Sequence, residues 1–437
     1  MSARFDVVVV GAGPGGMAAA TVAAEAGCRV CLLDDNAAAG GQIWRGFRAD
    51  TARKYPHGGS FIQWAARIQR SGCVVARGRQ VIDHPAPGML RLEPVDGCGD
   101  ERGEDQREIG FEKLIVATGA RERFLPFPGW TLPGVMGAGG LQALVKAGLD
   151  ARGKRVVIAG SGPLLLAVGA GLAGAGASVL GIYELAPMTR LAGFALSLLA
   201  HPGKLVEGAR YRLKALRAAY RSGCWVVQAE GRGRVERVTL TDGRKHWSID
   251  CDWLGCGFHL IPNLELPRLL GCRIVAGSVA VDRLQQSSVP GVSCVGELTG
   301  IGGLEKALVE GQIAGWAAAG RVAEALRLAP QRKRLQQFAA RLDRAFALRP
   351  ELRTLASAET TVCRCEDVPF SALEGCTNWR QAKLHTRCGM GACQGRVCGA
   401  AAEFLFGWEN VSARPPVFPA AVSTLASPQD APEPVDH

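Results

Sequence analysis

Phe5-Asp6-Val7-Val8-Val9-Val10-Gly11-Ala12-Gly13-Pro14-Gly15-Gly16 opens the chain. The valine run suits a parallel strand buried on both faces, and the glycines after it make a turn. An alanine-rich helix runs to about Gly27, and a second strand over 29–33 ends at Asp34. Strand, turn, helix and strand in this order predict a Rossmann-like unit. Gly11 makes the tight turn, Gly13 admits a pyrophosphate against the backbone, and Gly16 lets helix and strand pack closely. Phosphates would rest on the helix N-terminus, where free N–H groups and the helix dipole favour an anion. Asp34, 23 residues after Gly11, is placed to accept a ribose hydroxyl.

The same order of elements returns further on. A strand over 155–159 leads into Gly160-Ser161-Gly162-Pro163-Leu164-Leu165, then a helix, then a strand over 178–183 ending at Glu184. Leu165 stands where the third glycine belongs, and its bulk is expected to push helix from strand. Glu184 favours an unphosphorylated ribose. The second site therefore stays open among NAD, an adenine nucleotide and no ligand, with Gly160, Gly162 and Glu184 as its residues. The stretch from Val156 to Tyr183 carries no charge over 28 residues, long enough for a membrane span. Its seven glycines and the Gly-Ser-Gly-Pro turn point instead to a buried strand–helix–strand unit.

Composition narrows the class. The 437 residues are 48% apolar and 21% charged, enough for a large core and against a disordered chain. The 57 glycines are about twice ordinary usage of ~7% and lack a period of three, which excludes collagen. Of the net charge of +11, residues 321–353 carry nine Lys/Arg against three Asp/Glu. There Leu335, Phe338, Leu342 and Phe346 follow helical spacing, which predicts a basic amphipathic helix between domains or against a partner, not a nucleic-acid face. Residues 1–4 lead straight into the first strand, unlike a signal peptide, so a reducing cytoplasm is the expected compartment.

Six of the fifteen cysteines fall between Cys363 and Cys398. Cys363-Arg364-Cys365 is followed by Thr386-Arg387-Cys388-Gly389-Met390-Gly391-Ala392-Cys393-Gln394-Gly395-Arg396-Val397-Cys398. Four thiolates in two close pairs suit a [2Fe–2S] cluster, two sulfurs to each iron, with Cys363, Cys365, Cys393 and Cys398 as the ligands. Zinc also takes four thiolates, though its fingers favour Cys-x2–4-Cys. Cys376 and Cys388 are read as core or incidental, with either able to substitute in an alternative ligand set. Cys251 and Cys256 read as a buried strand running into a turn.

Gly40-Gly41-Gln42-Ile43-Trp44-Arg45, Ile115-Val116-Ala117-Thr118-Gly119-Ala120, and Val295-Gly296-Glu297 before Gly302-Gly303 add a further signal. With the two glycine turns they resemble the two-dinucleotide-binding-domain flavoproteins over about residues 1–320. That resemblance implies FAD on Gly11, Gly13, Gly16, Asp34, Gly41, Gln42, Thr118, Gly119, Gly296 and Glu297. Glu297 replaces the family's aspartate, one methylene shorter, at the ribityl chain. The disulfide reductases of this fold carry a cysteine pair in the helix after Gly-Gly, or Cys-x-x-Cys in the second nucleotide domain; both are missing here. The last cysteines resemble the small helical domain of bacterioferritin-associated ferredoxin, although Cys393 and Cys398 are spaced more widely than its Cys-x-x-Cys.

Arg121-Glu122-Arg123-Phe124-Leu125-Pro126-Phe127-Pro128-Gly129-Trp130, Leu132-Pro133-Gly134-Val135-Met136 and the Gly-Met-Gly-x-Cys-Gln-Gly-Arg-x-Cys phrase are similar to a narrower group. These are the flavoprotein subunits of opine oxidases, hydrogen cyanide synthase, and dye-linked proline or hydroxyproline dehydrogenases. The resemblance implies an electron-transfer subunit carrying FAD and [2Fe–2S]. A catalytic partner similar to D-amino-acid oxidases would feed it electrons for a quinone or other carrier, and a further partner would be a small ferredoxin-like subunit. No catalytic constellation is found in this chain. The alternatives are a self-contained NADH-dependent reductase and, more remotely, a zinc-containing scaffold.

The expected fold is α/β: an FAD domain over 1–120 and 281–320, and a second Rossmann-like domain over 121–280. A basic helical linker over 321–359, a [2Fe–2S] domain over 360–412 and a disordered tail over 413–437 complete it. No transmembrane segment is expected, and peripheral association with the inner face of a membrane is compatible with the charge.

Overall fold

Val7–Val10 lie at the centre of a seven-stranded sheet in the computed structural model, which describes residues 3–47, 50, 52–54, 57–95, 107–215, 217–409 and 413–426. The sheet runs Val74–Arg77, Val30–Asp34, Ala3–Val10, Glu108–Val116, Met89–Pro94, Arg79–Ala86. Its first four strands are parallel, and Val292–Cys294 also pairs in parallel with Glu108–Val116. Side chains alternate between faces with a period of two. Val7 and Val9 enter one core with Met17, Val22 and Ala314, while Val8 and Val10 enter another with Leu90, Leu114 and Leu266. Burial on both faces is what the unbroken valine run requires.

Helices Pro14–Glu25 and Gly303–Ala318 cover the first of these faces. Their backbones touch: a Cβ at Gly311 would sit 2.1 Å from the Gly15 carbonyl oxygen. The chain divides into two compact units, one of Met1–Ala120, Pro262–Ala339 and Val411–His437, the other of Arg121–Ile261 and Ala340–Asn410. The return to the first unit thus falls at Pro262 and not at the expected 281. Leu264, Leu266, Cys272 and Val279 pack into the Val8 core, and that burial draws the boundary back.

In the second unit a five-stranded parallel sheet runs Ala219–Ser222, Ser178–Glu184, Arg155–Ser161, Trp253–Phe258, Val135–Gly137. A three-stranded antiparallel sheet accompanies it, made of Trp225–Glu230, Arg237–Thr241 and His246–Asp250. The uncharged stretch is strand Arg155–Ser161, helix Leu164–Gly174 and strand Ser178–Glu184. Among the described residues no helix is long and apolar enough to cross a membrane. Leu165 is fully buried, and the expected displacement of its helix is corrected by the strand beside it. Gly257 stands opposite, and a Cβ there would lie 2.9 Å from Leu165 Cδ2, so a missing side chain on the strand makes room for leucine on the helix.

The basic stretch is two helices, Val322–Arg327 and Ala329–Ala345, and a 3-10 turn, Pro350–Thr354. Leu335 packs with Val309 and Ile313, whereas Leu342 and Phe346 pack with Ala186 and Phe194. The stretch is therefore shared out between the units and is not a free-standing linker. Residues 360–409 have a small core of their own, including Val362, Leu373, Trp379 and Ala402. They cluster with the second Rossmann-like fold: Trp130 Nε1 donates to the Thr361 carbonyl at 2.6 Å, and Val397 and Phe404 pack against the core that holds Trp225 and Leu352.

The tail also departs from expectation. Residues 413–426 include the helix Val422–Leu425, and the Val417 amide donates to the Ile82 carbonyl at 2.8 Å. A composition poor in core formers does not prevent docking on a preformed sheet edge. Residues 427–437 lie outside the described residues.

Candidate functional site: a glycine cradle and a thiol cluster

At the end of the first strand the Gly11 amide donates to the Leu33 carbonyl at 2.8 Å, closing the turn across two strands. Gly16 is dictated by packing, because a Cβ there would sit 1.8 Å from the Gly11 carbonyl oxygen. Gly13 differs: its φ is −71°, and the only atom within 4 Å of a Cβ built on it is the Gly41 Cα at 3.9 Å. A Cβ on Gly41, in turn, would meet the Gly13 Cα at 2.9 Å. The two glycines make a bare backbone floor, and no side chain caps the helix that starts at Pro14. Asp34 closes the turn from the neighbouring strand, with Oδ2 accepting the Ala12 amide at 2.5 Å and Oδ1 the Asn36 amide at 2.8 Å. Gln42 is exposed beside this floor in sequence.

Thr118 and Gly119 leave the same sheet and are braced by Asn263. The Asn263 Nδ2 donates to the Thr118 carbonyl at 2.7 Å, its amide donates to the Gly119 carbonyl at 3.0 Å, and the Thr118 hydroxyl donates to the Asn263 carbonyl at 3.1 Å. Sequence reasoning missed Asn263, which no local pattern marks. The Gly296–Glu297 turn is held by the two glycines that follow it in its own motif. Glu297 accepts the Gly302 and Gly303 amides at 2.9 and 2.8 Å, satisfying the start of the helix Gly303–Ala318. Burial raises its carboxyl above the ordinary range.

The second glycine turn repeats the acid's geometry, and no atom lies within 4 Å of a Cβ built on Gly162. Glu184 accepts the Gly162 amide at 3.1 Å and the Ala186 amide at 2.9 Å. Burial pushes its carboxyl up to about 7 against those hydrogen bonds. Gly162 has φ +116°, a left-handed geometry that its counterpart Gly13 does not use. Ser161 donates from Oγ to the Phe346 carbonyl at 2.7 Å, and His259 Nε2 bonds the same oxygen.

The cysteines converge, with a change of membership. Cys363, Cys388 and Cys398 are buried, and their sulfurs lie within 4.8 Å of one another. Cys398 also shares a hydrogen bond with Cys393, and Cys393 with Cys365, so the four expected thiols, all free, follow one another in a row. Hydrogen bonds from Cys388 and Cys398 hold the Cys363 thiol well below the usual range. Cys388, read from sequence as core or incidental with an alternative ligand role left open, therefore belongs to the cluster. Its place in Thr386-Arg387-Cys388-Gly389 was visible, but the fold alone turns it inward. Cys251 and Cys256 are buried among Val238, Leu254 and Phe258.

A family model described as pyridine nucleotide-disulphide oxidoreductase matches residues 5–323. The chain belongs to that family. An opine oxidase subunit of Rhizobium meliloti (strain 1021) is 34% identical over 429 residues, covering 90% of each chain. Hydrogen cyanide synthase subunit HcnB of Pseudomonas protegens is 32% identical over 430 residues, again 90% of each. Among solved structures, L-proline dehydrogenase from P. horikoshii matches 98% of this chain and 80% of its own at TM-score 0.66 and 17% identity. Thioredoxin reductase of T. acidophilum matches 72% and 98% at TM-score 0.55 and 20% identity. At these identities the structures speak for the fold alone.

This pyridine nucleotide-disulphide oxidoreductase family member is an FAD-binding flavoprotein with two Rossmann-like domains and an added C-terminal helical region. Its own residues fit FAD. The glycine floor at Gly13 and Gly41 is a cradle that a Cβ would begin to fill, and the uncapped helix start beside it suits a pyrophosphate. The cluster fits a thiophilic metal, because buried, closely spaced thiols are soft donors that select zinc or iron–sulfur centres over hard cations.

Proposed function

We propose that this chain is the FAD- and [2Fe–2S]-containing electron-transfer subunit of a hetero-oligomeric amino-acid or opine dehydrogenase. The observation that carries the reading is the presence, in one chain, of an open glycine cradle and a buried thiol cluster. When bound, FAD takes a two-electron load and a [2Fe–2S] centre passes electrons singly. Gly11, Gly13, Gly16 and Gly41 leave space for the pyrophosphate, and Asp34 orients toward the ribose. Thr118, Gly119, Gln42, Gly296 and Glu297 complete the surroundings of the flavin. Cys363, Cys365, Cys393 and Cys398 hold the cluster, with Cys388 beside Cys363 as a fifth thiol.

Relatives named as subunits support a catalytic partner. In this reading a D-amino-acid-oxidase-like subunit takes hydride from the carbon of a CH–NH group, whose nitrogen gives up a proton as the C=N bond forms, and a small ferredoxin-like subunit joins the assembly. Electrons leave to a quinone or similar carrier, which suits a cytoplasmic protein that visits the inner face of a membrane. The test is anaerobic purification with flavin and iron analysis, followed by EPR after NADH and then after dithionite. A flavin spectrum with a rhombic [2Fe–2S] signal that dithionite alone develops is expected. Zinc in place of iron, or reduction of both centres by NADH alone, would overturn the reading.

A further inference from the structure

The carboxyl ends of the strands in a doubly wound sheet are where a dinucleotide crosses. In the second unit three of those ends are covered by one segment of the same unit. Ser161 ends its strand, His259 follows the strand Trp253–Phe258, and Ala186 lies two residues beyond the strand Ser178–Glu184. The Phe346 carbonyl receives the Ser161 hydroxyl and His259 Nε2, while the Phe346 ring packs on Ala186. His259 takes φ +69° to reach that oxygen, a left-handed backbone unusual outside glycine.

Two donors that would serve a phosphate oxygen are thus spent on a backbone carbonyl. The helix start is spent as well. The Leu165 amide donates to the Gly162 carbonyl at 3.1 Å and the Leu166 amide to the Pro163 carbonyl at 3.2 Å. At the ribose end the two acids are alike, Asp34 and Glu184 both being buried, but the residues after them differ: Leu185 and Ala186 are buried, whereas Asp35 is exposed.

The segment is pinned along its length. The Phe194 ring meets Phe346 edge-on at 5.3 Å, Arg190 Nη1 donates to the Ala347 carbonyl at 3.4 Å, and Arg349 stacks over Trp225 at 4.7 Å. Beyond it Leu352 is fully buried.

We propose that residues 345–349 are a built-in occupant of the second dinucleotide crevice, held there by Ser161, His259 and Phe194, and that they keep this site closed to NAD(P)H. A tethered occupant competes at high effective concentration, so a free nucleotide must displace it. This inference is independent of the electron route above, because it concerns nucleotide binding by the isolated chain.

The test is titration of the full chain with NADH by calorimetry and nucleotide fluorescence, in the wild type and in Phe346→Gly and Phe194→Ala. Flavin content and circular dichroism report folding, and Phe194→Ala, which removes only packing, covers a failure of Phe346→Gly. If the open form is ~1% populated, apparent affinity is about a hundredfold below intrinsic, and loosening the segment recovers at least about tenfold of it. The expected result is no saturation by the wild type up to about 1 mM and measurable binding by the folded variant. Saturable wild-type binding below about 100 µM, or folded variants that gain no affinity, would overturn the proposal.

Discussion

Lys306 and Glu310, one helical turn apart on Gly303–Ala318, form an ion pair at 2.9 Å with almost no exposed surface. The pair holds the Gly296–Glu297 turn: Lys306 Nζ donates to the Gly296 carbonyl at 2.9 Å, and Glu310 Oε2 accepts the Gly296 amide at 3.0 Å and the Thr299 hydroxyl at 2.7 Å. Replacing Lys306 with Met removes the nearer cation and leaves the buried carboxylate only Arg332, whose Nε lies 3.8 Å from Oε1. Breaking such a pair costs about 3–5 kcal/mol. Lys306→Met should therefore unfold at markedly lower urea than the wild type, and an unchanged midpoint would remove the pair from this role.

Gly13 and Gly16 separate cofactor from fold. Gly13→Ala meets no protein atom closer than 3.9 Å at an ordinary φ, so the chain should fold with wild-type circular dichroism while losing flavin. Gly16→Ala collides with the Gly11 carbonyl and should lose stability itself, by about 1–3 kcal/mol or more for an overpacked contact. Full flavin in a purified Gly13→Ala protein would remove the pyrophosphate from that floor.

The thiol row assigns different outcomes to neighbouring cysteines. Cys398→Ser and Cys365→Ser should each drop bound metal to below about a tenth with flavin kept, since a lost ligand typically abolishes a closed site. Cys388→Ser should retain metal. Metal analysis showing the reverse pattern for Cys365 and Cys388 would make the buried trio the ligand core.

Glu184 predicts a pH dependence of known sign. Its folded carboxyl keeps the proton up to about 7, against 4.5 for the ordinary group, so the folded state binds more protons between these values. Its stabilising contribution is complete below about 4.5 and is lost as pH rises through about 7, by at most about 3 kcal/mol. Glu184→Gln removes that slope. Urea unfolding at intervals from about pH 5 to 8 should show wild-type stability falling relative to the variant, and parallel curves would contradict the buried carboxyl.

Both Rossmann openings were legible because their signals are local. A β-branched strand, glycines at fixed offsets and an acid at the next strand end lie within about 25 residues. The cysteine spacing announced a thiol site for the same reason. Other features close over long distances. The Ser161–Phe346 bond joins positions 185 apart, and Thr118 meets Asn263 across 145. Leu165 reads as an obstacle until Gly257 is found opposite it, and Cys388 reads as core or incidental until the chain folds it against Cys363 and Cys398.

Residue order was enough for the fold class, the first glycine cradle and the presence of a soft-donor centre, since periodicity and turn chemistry act between near neighbours. The membership of that centre, the bracing of the Thr118–Gly119 and Gly296–Glu297 turns and the covering of the second crevice belong to tertiary packing. They depend on which distant backbone and side-chain atoms burial brings within hydrogen-bonding reach.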